Sequence, residues 1–393
     1  MKRIVYLCII LILSVATMFA NIPTPLVYAS NSVDNLNTSY QQKAYVLMDY
    51  NTDTILGGAN YDEKYQVASI VKLMTILLTL EALEDGKINL DDMVTASEHS
   101  SSMGGSQAFL DANQQYMLSD LLKSVIVSSA NDSSVLLGEV LAGSENGFVE
   151  QMNKRAKELG LNNTLYSNAT GLPDANQYSS ALDSARLLKE VMKHKTYFNY
   201  STIWLDGLTH PLDKRTTELA NTNRLVRYYN GCDAGKTGYT DEAGYCLVAS
   251  AKKNGMRLMG VTLGATKSKD RFESVTELLN LGFASYKNEH IAVKDAELNE
   301  TIKVKGAKNS VGKLTFDNDF YYITKKSDKN GFEIKFELPK TVKAPLEKGQ
   351  YIGKAYIIKD GSVIGEVDVV SYEQMLKQTY REIVKKIFKG FGI

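Results

Sequence analysis

Strand-like segments occur at two widely separated places in this chain, with a long helical stretch between them. The segment "KAYVLMDYNTDTILGGANYD" (43–62) alternates, turns at 51–53 and returns, which is the pattern of a β-hairpin. "SIVKLMTILLTLEALEDGK" then shows helical spacing and stops at Gly86. Residues 115–195 read as mostly helical, centred on "MLSDLLKSVIVSSANDSSVLLGEVLAG". From 220 the strand pattern returns in "GCDAGKTGYT", "GYCLVASAKK" and "MRLMGVTLGA", and "VTELLNLGFASYK" supplies a closing helix. An isolated hairpin is marginal in water at best. Early hairpin and late strands therefore predict one α/β domain whose sheet joins the two ends around a helical middle.

The chain starts with a different pattern. "MKR" precedes the apolar run "IVYLCIILILSVATMFA" and the small-residue site "VYA", which describe a secretory signal peptide over 1–29, cleaved after Ala29. An uncleaved anchor is the alternative, because the run approaches spanning length. Either reading puts the body of the protein outside the cytoplasm. Lys+Arg and Asp+Glu both number 45, so the charge balance gives no sign of a nucleic-acid partner. Cys8 leaves with the signal, and Cys232 and Cys246 are too few for a disulfide framework. Packed free thiols are preferred there to a local bridge. His99, His194, His210 and His290 are scattered without metal-site spacing, so neither a metal nor another cofactor is expected.

Composition shifts near 290. "TIKVKG", "FEIKFELP", "KAYIIK" and "VIGEVDVV" alternate, with turn signals at Asn330-Gly331 and Asp360-Gly361, and predict a small all-β domain. In "SYEQMLKQTYREIVKKIFKGFGI", Tyr372, Met375, Leu376, Tyr380, Ile383, Val384, Ile387, Phe388 and Phe391 share one helical face. Lys377, Arg381, Lys385, Lys386 and Lys389 occupy the other. A basic amphipathic helix of this kind is expected on an anionic membrane surface, with docking on protein as the other reading. The expected organisation is a large domain over 30–288, a small β-rich domain over 289–370 and an amphipathic helix over 371–393.

Chemistry enters with "VASIVKLMT" (67–75), apolar except for Ser69 and Lys72. Residues three apart share a helix face, so this spacing brings a hydroxyl and an amine together. A serine hydroxyl needs a base before it is a useful nucleophile. A lysine becomes that base only when burial or a nearby cation lowers its pKa, and Ile70, Val71, Leu73 and Met74 would supply the burial. One S-x-x-K is weak evidence. Two further elements follow: Ser129-Ala130-Asn131 at a helix boundary and Lys236-Thr237-Gly238 on a strand. Taken singly, Ser129 and Asn131 read as caps and Lys236 as an edge-strand lysine. The order S-x-x-K, S-x-N, K-T-G on an exported chain is far more specific.

With these motifs the sequence resembles the low-molecular-mass penicillin-binding proteins that are D-alanyl-D-alanine carboxypeptidases. "NTNRLVRYYNGCDAGKTGYTDEAGYCLVASA", "GGSQAFL", "NATGLPDANQYSSALD" and "APLEKGQYIG" are similar to family segments. The resemblance implies a penicillin-binding, serine β-lactamase-like transpeptidase fold with an antiparallel sheet and a helical subdomain. It implies that Ser69 is acylated, Lys72 is its base, and Ser129 relays a proton to the leaving amine with Lys236 behind it. Asn131 would bind the substrate amide and orient Lys72, Thr237 and Arg271 would serve the terminal carboxylate, and Lys236 and Gly238 would also belong to the substrate-binding set. The backbone N–H groups of Ser69 and Tyr239 would form the oxyanion hole. The implied partners are stem peptides of peptidoglycan ending in D-Ala-D-Ala, β-lactams as covalent inhibitors, and the outer surface of the cytoplasmic membrane.

The sequence departs from the family pattern at Val67, Ile70, Ala130 and Gln177, none of them a catalytic group. Asp233 and Asp241 read as structural. The rival readings are a D,D-endopeptidase or a β-lactamase on the same fold, and a non-catalytic peptidoglycan-binding scaffold. "LNNTLYSNATGLPD" lacks the glutamate that a class A β-lactamase would need for deacylation.

Overall fold

The computed structural model describes residues 38–384. The signal peptide over 1–29 and the anchor residues Lys385, Lys386, Ile387, Phe388 and Phe391 lie outside the described residues.

The larger unit comprises Asn31–His290 and Tyr321–Lys329. It opens with strands β1 (Ala44–Asp49) and β2 (Ile55–Ala59), followed by a 3-10 turn (Ala68–Val71) that leads directly into helix α1 (Lys72–Glu84). The helical part contains β3 (Met93–Thr95), α2 (Glu98–Ser101), β4 (Gln115–Met117), α3 (Leu118–Val127), α4 (Asn131–Ala142), α5 (Glu145–Glu158) and α6 (Ala181–Val191). Then come β5 (Leu205–Thr209), β6 (Thr216–Ala220), α7 (Leu225–Tyr228), β7 (Cys232–Thr240), β8 (Gly244–Lys253), β9 (Met256–Ala265) and α8 (Ser268–Ser285).

Five strands form one sheet in the order β2-β1-β9-β8-β7. The four pairings within it are antiparallel, with Val46 opposite Val261 and Lys236 opposite Val248. The expected union of early hairpin and late strands is thus present. Alternation along the strands serves two cores. Val46, Met48, Val248 and Val261 pack with Leu73, Met74 and Leu77 of α1 and the helical part. Leu47, Leu247, Ala249 and Leu258 pack on the opposite face with Val275, Leu278 and Leu279 of α8. Burial on both faces explains why every residue of β1 is buried. β7 is an edge strand, so among the described residues the K-T-G segment has one side free of a strand neighbour.

The smaller unit is described by itself. Its six strands run in the order β14-β16-β17-β12-β11-β15, where β11 is Thr301–Lys305, β12 Val311–Phe316, β14 Glu333–Glu337, β15 Val342–Lys343, β16 Tyr351–Lys359 and β17 Ser362–Ser371. β11 and β15 are parallel and the other four pairs antiparallel. Asp360 and Gly361 take positive φ between β16 and β17, as their turn signal predicts. Asn330-Gly331 does not close a hairpin. The strand before it, β13 (Phe320–Lys325), pairs with β10 (Tyr286–Ala292), and the strand after it, β14, pairs with β16. The expected boundary at 288–289 falls inside β10.

The terminal helix also differs from expectation. Residues 372–379 are not helical; helix begins at 380. Met375 is buried and bridges Leu346, and Lys377 bridges Ala307. Burying Met375 in the small unit outweighs the helical periodicity of a short segment whose intrinsic helix stability is slight.

Gly171 shows how tightly the large unit is closed around the start of α1. It has φ +82°, and a Cβ there would lie 2.1 Å from the Ala68 carbonyl oxygen. Gly143, at the end of α4, has φ +77° with nothing within 4 Å. Gly143→Ala is expected to cost about 1–2 kcal/mol for its left-handed backbone alone. Gly171→Ala adds overpacking and should cost about 2–5 kcal/mol in all. Urea midpoints of the two variants measure the difference.

Candidate active site

The site is assembled from four chain segments. The first is the turn before α1. Ala68 has φ +49°, a strained value for a residue with a Cβ, and reverses the chain so that Ser69 stands at its head. Lys72 follows three residues later as the first residue of α1, so the two side chains meet. Lys72 Nζ lies 2.9 Å from Ser69 Oγ and donates to the Thr170 carbonyl oxygen at 2.5 Å. Its side chain is fully buried. Burial, reinforced by repulsion from Lys236 and opposed by Asp132, holds the amine well below a lysine's ordinary value.

The second segment carries Ser129 and Asn131. Ser129 has φ +66° and is nearly buried. Asn131 begins α4, but its amide does not reach back to the lysine as expected. It donates to the Gly104 carbonyl oxygen at 2.6 Å, and its backbone N–H donates to the Ser106 carbonyl oxygen at 2.7 Å. Orientation of Lys72 falls instead to the Thr170 carbonyl.

The third is β7. Lys236 Nζ donates to Ser129 Oγ at 2.6 Å, which brings the K-T-G strand against the S-x-N segment. Burial first, and the Arg271 guanidinium second, bring the Lys236 amine down to about 7. Gly238 lets β7 come close to the nucleophile turn: a Cβ there would sit 2.5 Å from the Val67 carbonyl oxygen and 3.2 Å from the Ser69 nitrogen. Thr237 is nearly buried beside it. Tyr239 is exposed; its ring stacks on Tyr245 at 4.3 Å and its hydroxyl donates to Asp241 at 2.7 Å. Arg271 of α8 donates to the Gly238 carbonyl oxygen at 3.0 Å, with its guanidinium beside the Phe272 and Tyr245 rings. Its Nε is buried without a hydrogen-bond partner among the described residues, and burial lowers its pKa to about 10.

The fourth segment, 167–172, had no residue singled out for chemistry in the sequence. Asn168 Oδ1 accepts from the backbone N–H of Thr170 and Gly171 and from the Thr170 hydroxyl, an Asx turn that aims the Thr170 carbonyl at Lys72. Gln177 holds this turn from below. Its Oε1 accepts from the Ser167 and Asn168 N–H groups, and its Nε2 donates to the Leu172 carbonyl. Thr75 and Ser134 both donate to the Ala169 carbonyl. The run N-x-T-G at 168–171 carried the turn signal; a backbone carbonyl as lysine partner has no signature of its own.

Cys232 and Cys246 are free and buried, with burial pushing their thiols up to about 12 and about 11. Asp233 pairs with Arg257 at 2.7 Å. Among the described residues no group of three His, Cys, Asp or Glu could hold a metal ion.

A family model described as "D-alanyl-D-alanine carboxypeptidase" matches residues 30–267, and one described as "Penicillin-binding protein 5, C-terminal domain" matches 286–377. The chain is 40% identical to the D-alanyl-D-alanine carboxypeptidase DacF of Bacillus subtilis, over 88% of this chain and 89% of that one. It is 38% identical to the carboxypeptidase DacA of Haemophilus influenzae, over 83% of each. The crystal structure of penicillin-binding protein 5 from Haemophilus influenzae superposes with a TM-score of 0.73 at 33% identity, covering 88% of this chain and all of that one.

The buried lysines make stability depend on pH in a definite direction. Lys236 titrates at about 7 when folded, against an ordinary 10.5. Between those values the unfolded chain binds more protons, so this group makes the fold more stable as pH rises. Its penalty is fully present below about 7 and disappears above the unfolded value. The measurement is urea unfolding at pH 7 and pH 9: wild type should gain more stability over that interval than Lys236→Met.

Proposed function

The chain belongs to the D-alanyl-D-alanine carboxypeptidase family, and we propose that Ser69 is the residue acylated by its substrate. The protein is a serine-type D-alanyl-D-alanine carboxypeptidase with a penicillin-binding protein fold. The observation that carries the assignment is the 2.9 Å approach of Lys72 Nζ to Ser69 Oγ at a fully buried amine.

In this reading neutral Lys72 takes the Ser69 proton as Oγ attacks the carbonyl of the penultimate D-alanine in a peptidoglycan stem peptide. The resulting oxyanion is held by the backbone N–H groups of Ser69 and Tyr239, the kind of preorganised donors that dominate acyl transfer. Collapse breaks the C–N bond. Ser129 passes its proton to the departing amine nitrogen and recovers the proton that Lys72 had taken, while Lys236, whose Nζ donates to Ser129 Oγ at 2.6 Å, steadies the oxygen during the transfer. Thr237 and Arg271 receive the terminal carboxylate, and the cationic end of Arg271 beside Gly238 supports that role. Asn131, fixed by Gly104, presents its amide to the substrate backbone. Water then hydrolyses the Ser69 ester. A β-lactam presents the same carbonyl in a ring, so its leaving group stays attached and it inhibits by remaining on Ser69.

Among the described residues no helix is long and apolar enough to cross a membrane. We read the end of the chain as a surface anchor to the outer face of the cytoplasmic membrane after export. Support comes from the helical residues 380–384 and from the exposure of Leu376, Tyr380 and Ile383; Val384 is half-buried.

Ser69→Ala should release no D-alanine from a D-Ala-D-Ala pentapeptide and take no fluorescent penicillin label. Lys72→Ala should slow acylation about 10²–10⁴-fold. In wild type the acylation rate should rise with pH on a limb well below 10.5, because only the neutral amine is a base; that limb belongs to the Lys72–Lys236 pair. Deleting 380–393 should abolish binding to anionic vesicles in a flotation assay while a β-lactam still acylates the protein.

A further inference from the structure

The strap between α2 and β4 holds a bulky residue in a strained backbone conformation with its ring left exposed. Phe109 has φ +62°, and its side chain is 58% exposed. Left-handed backbone is an outlier for an aromatic residue, and such strain persists only where the surroundings over-determine it. They do so here. The backbone N–H groups of Ala108 and Leu110, on either side, both donate to the Asp132 carboxylate, at 3.0 and 3.1 Å. Arg215 donates to the Phe109 carbonyl oxygen at 2.9 Å and to Asp111 at 2.8 Å. Ala108 and Leu110 are buried beneath, so the reversal at 109 turns its ring to the solvent side.

Asp132 follows Asn131 on α4, and Asn131 itself bonds the strap at Gly104 and Ser106. The strained residue therefore belongs to the wall that carries the S-x-N segment. Two side chains, Asp132 and Arg215, fix the backbone around an exposed aromatic there, when a glycine would relieve the backbone and a buried ring would gain from leaving water.

We propose that Phe109 is a specificity residue. Its ring is a platform for the apolar parts of the peptide substrate that precede the terminal D-Ala-D-Ala pair, and Asp132 and Arg215 are the residues that position it. Flat aromatic rings suit this task because they offer a large contact surface with little conformational freedom to lose. The inference rests on the reading of Ser69 as the acylated residue.

The full chain and the variants Phe109→Ala, Phe109→Tyr and Phe109→Gly are compared with two probes. One is a stem pentapeptide ending in D-Ala-D-Ala; the other is 6-aminopenicillanic acid, a β-lactam nucleus without a side chain. Phe109→Ala should lower kcat/KM for the pentapeptide about tenfold, mostly through KM, which is the worth of a partly buried ring. Acylation by the bare nucleus should stay within about twofold of wild type, and Phe109→Tyr should restore the pentapeptide. Phe109→Gly should lose the pentapeptide while its Tm rises, since it relieves the strain. Equal losses on both probes, or unchanged pentapeptide kinetics with a lowered Tm, overturn the proposal. A wild-type chain acylated by neither probe overturns the Ser69 assignment itself.

Discussion

The site depends on keeping a lysine amine out of water and within reach of one hydroxyl. Lys72 has no exposed surface and lies 2.9 Å from Ser69 Oγ. Removing an ammonium from water costs several kcal/mol unless it is paired, so the amine gives up its proton instead. Burial is the largest cause of the shift for both Lys72 and Lys236, with repulsion between cations second. The arrangement places Lys72, Lys236 and Arg271 near one another with Asp132 opposing. Each cation lowers the proton affinity of the next, and the geometry thereby favours a base over an ion pair.

Such an arrangement needs support from backbone, because a side-chain carboxylate beside Lys72 would raise its pKa again. The Thr170 carbonyl meets this need: it accepts a hydrogen bond and carries no net charge. The carbonyl is aimed by the Asn168 turn, which rests on Gln177, and the turn approaches Ala68 only because position 171 has no Cβ. On the other wall, position 238 has the same requirement against Val67 and Ser69. Two glycines thus close the nucleophile turn between a loop and an edge strand. The sheet explains why the edge is available: β7 ends the order β2-β1-β9-β8-β7, so among the described residues one flank of Thr237 and Gly238 has no strand bonded to it.

Much of this was legible in the residues. Ser69 and Lys72 are neighbours by helical spacing, a purely local fact. The early hairpin and late strands had to share a sheet because neither could bury its face alone, and β1 does pair with β9. The meeting of Ser129 with Lys236 is a long-range contact that spacing could not show; only the order of the motifs pointed to it. Asn131 was expected to orient Lys72, but its Nδ2 donates to the Gly104 carbonyl instead. Thr170 acts through its carbonyl, which every residue type possesses, so no side-chain pattern could single it out. The tail was misread over 372–379 because a periodic run of apolar residues looks helical whatever it packs against. There Met375 is committed to the small β unit, and helix begins only at 380.

The central claim is that the amine at position 72 is uncharged near neutral pH. The direct test is the nitrogen resonance of lysine Nζ in protein carrying labelled lysine, assigned by comparison with Lys72→Arg and followed from pH 5 to 11. A Lys72 signal in the neutral-amine position at pH 8, titrating well below 10.5, is the predicted result. A signal that stays at the ammonium position until about pH 10, like an exposed lysine, would contradict it.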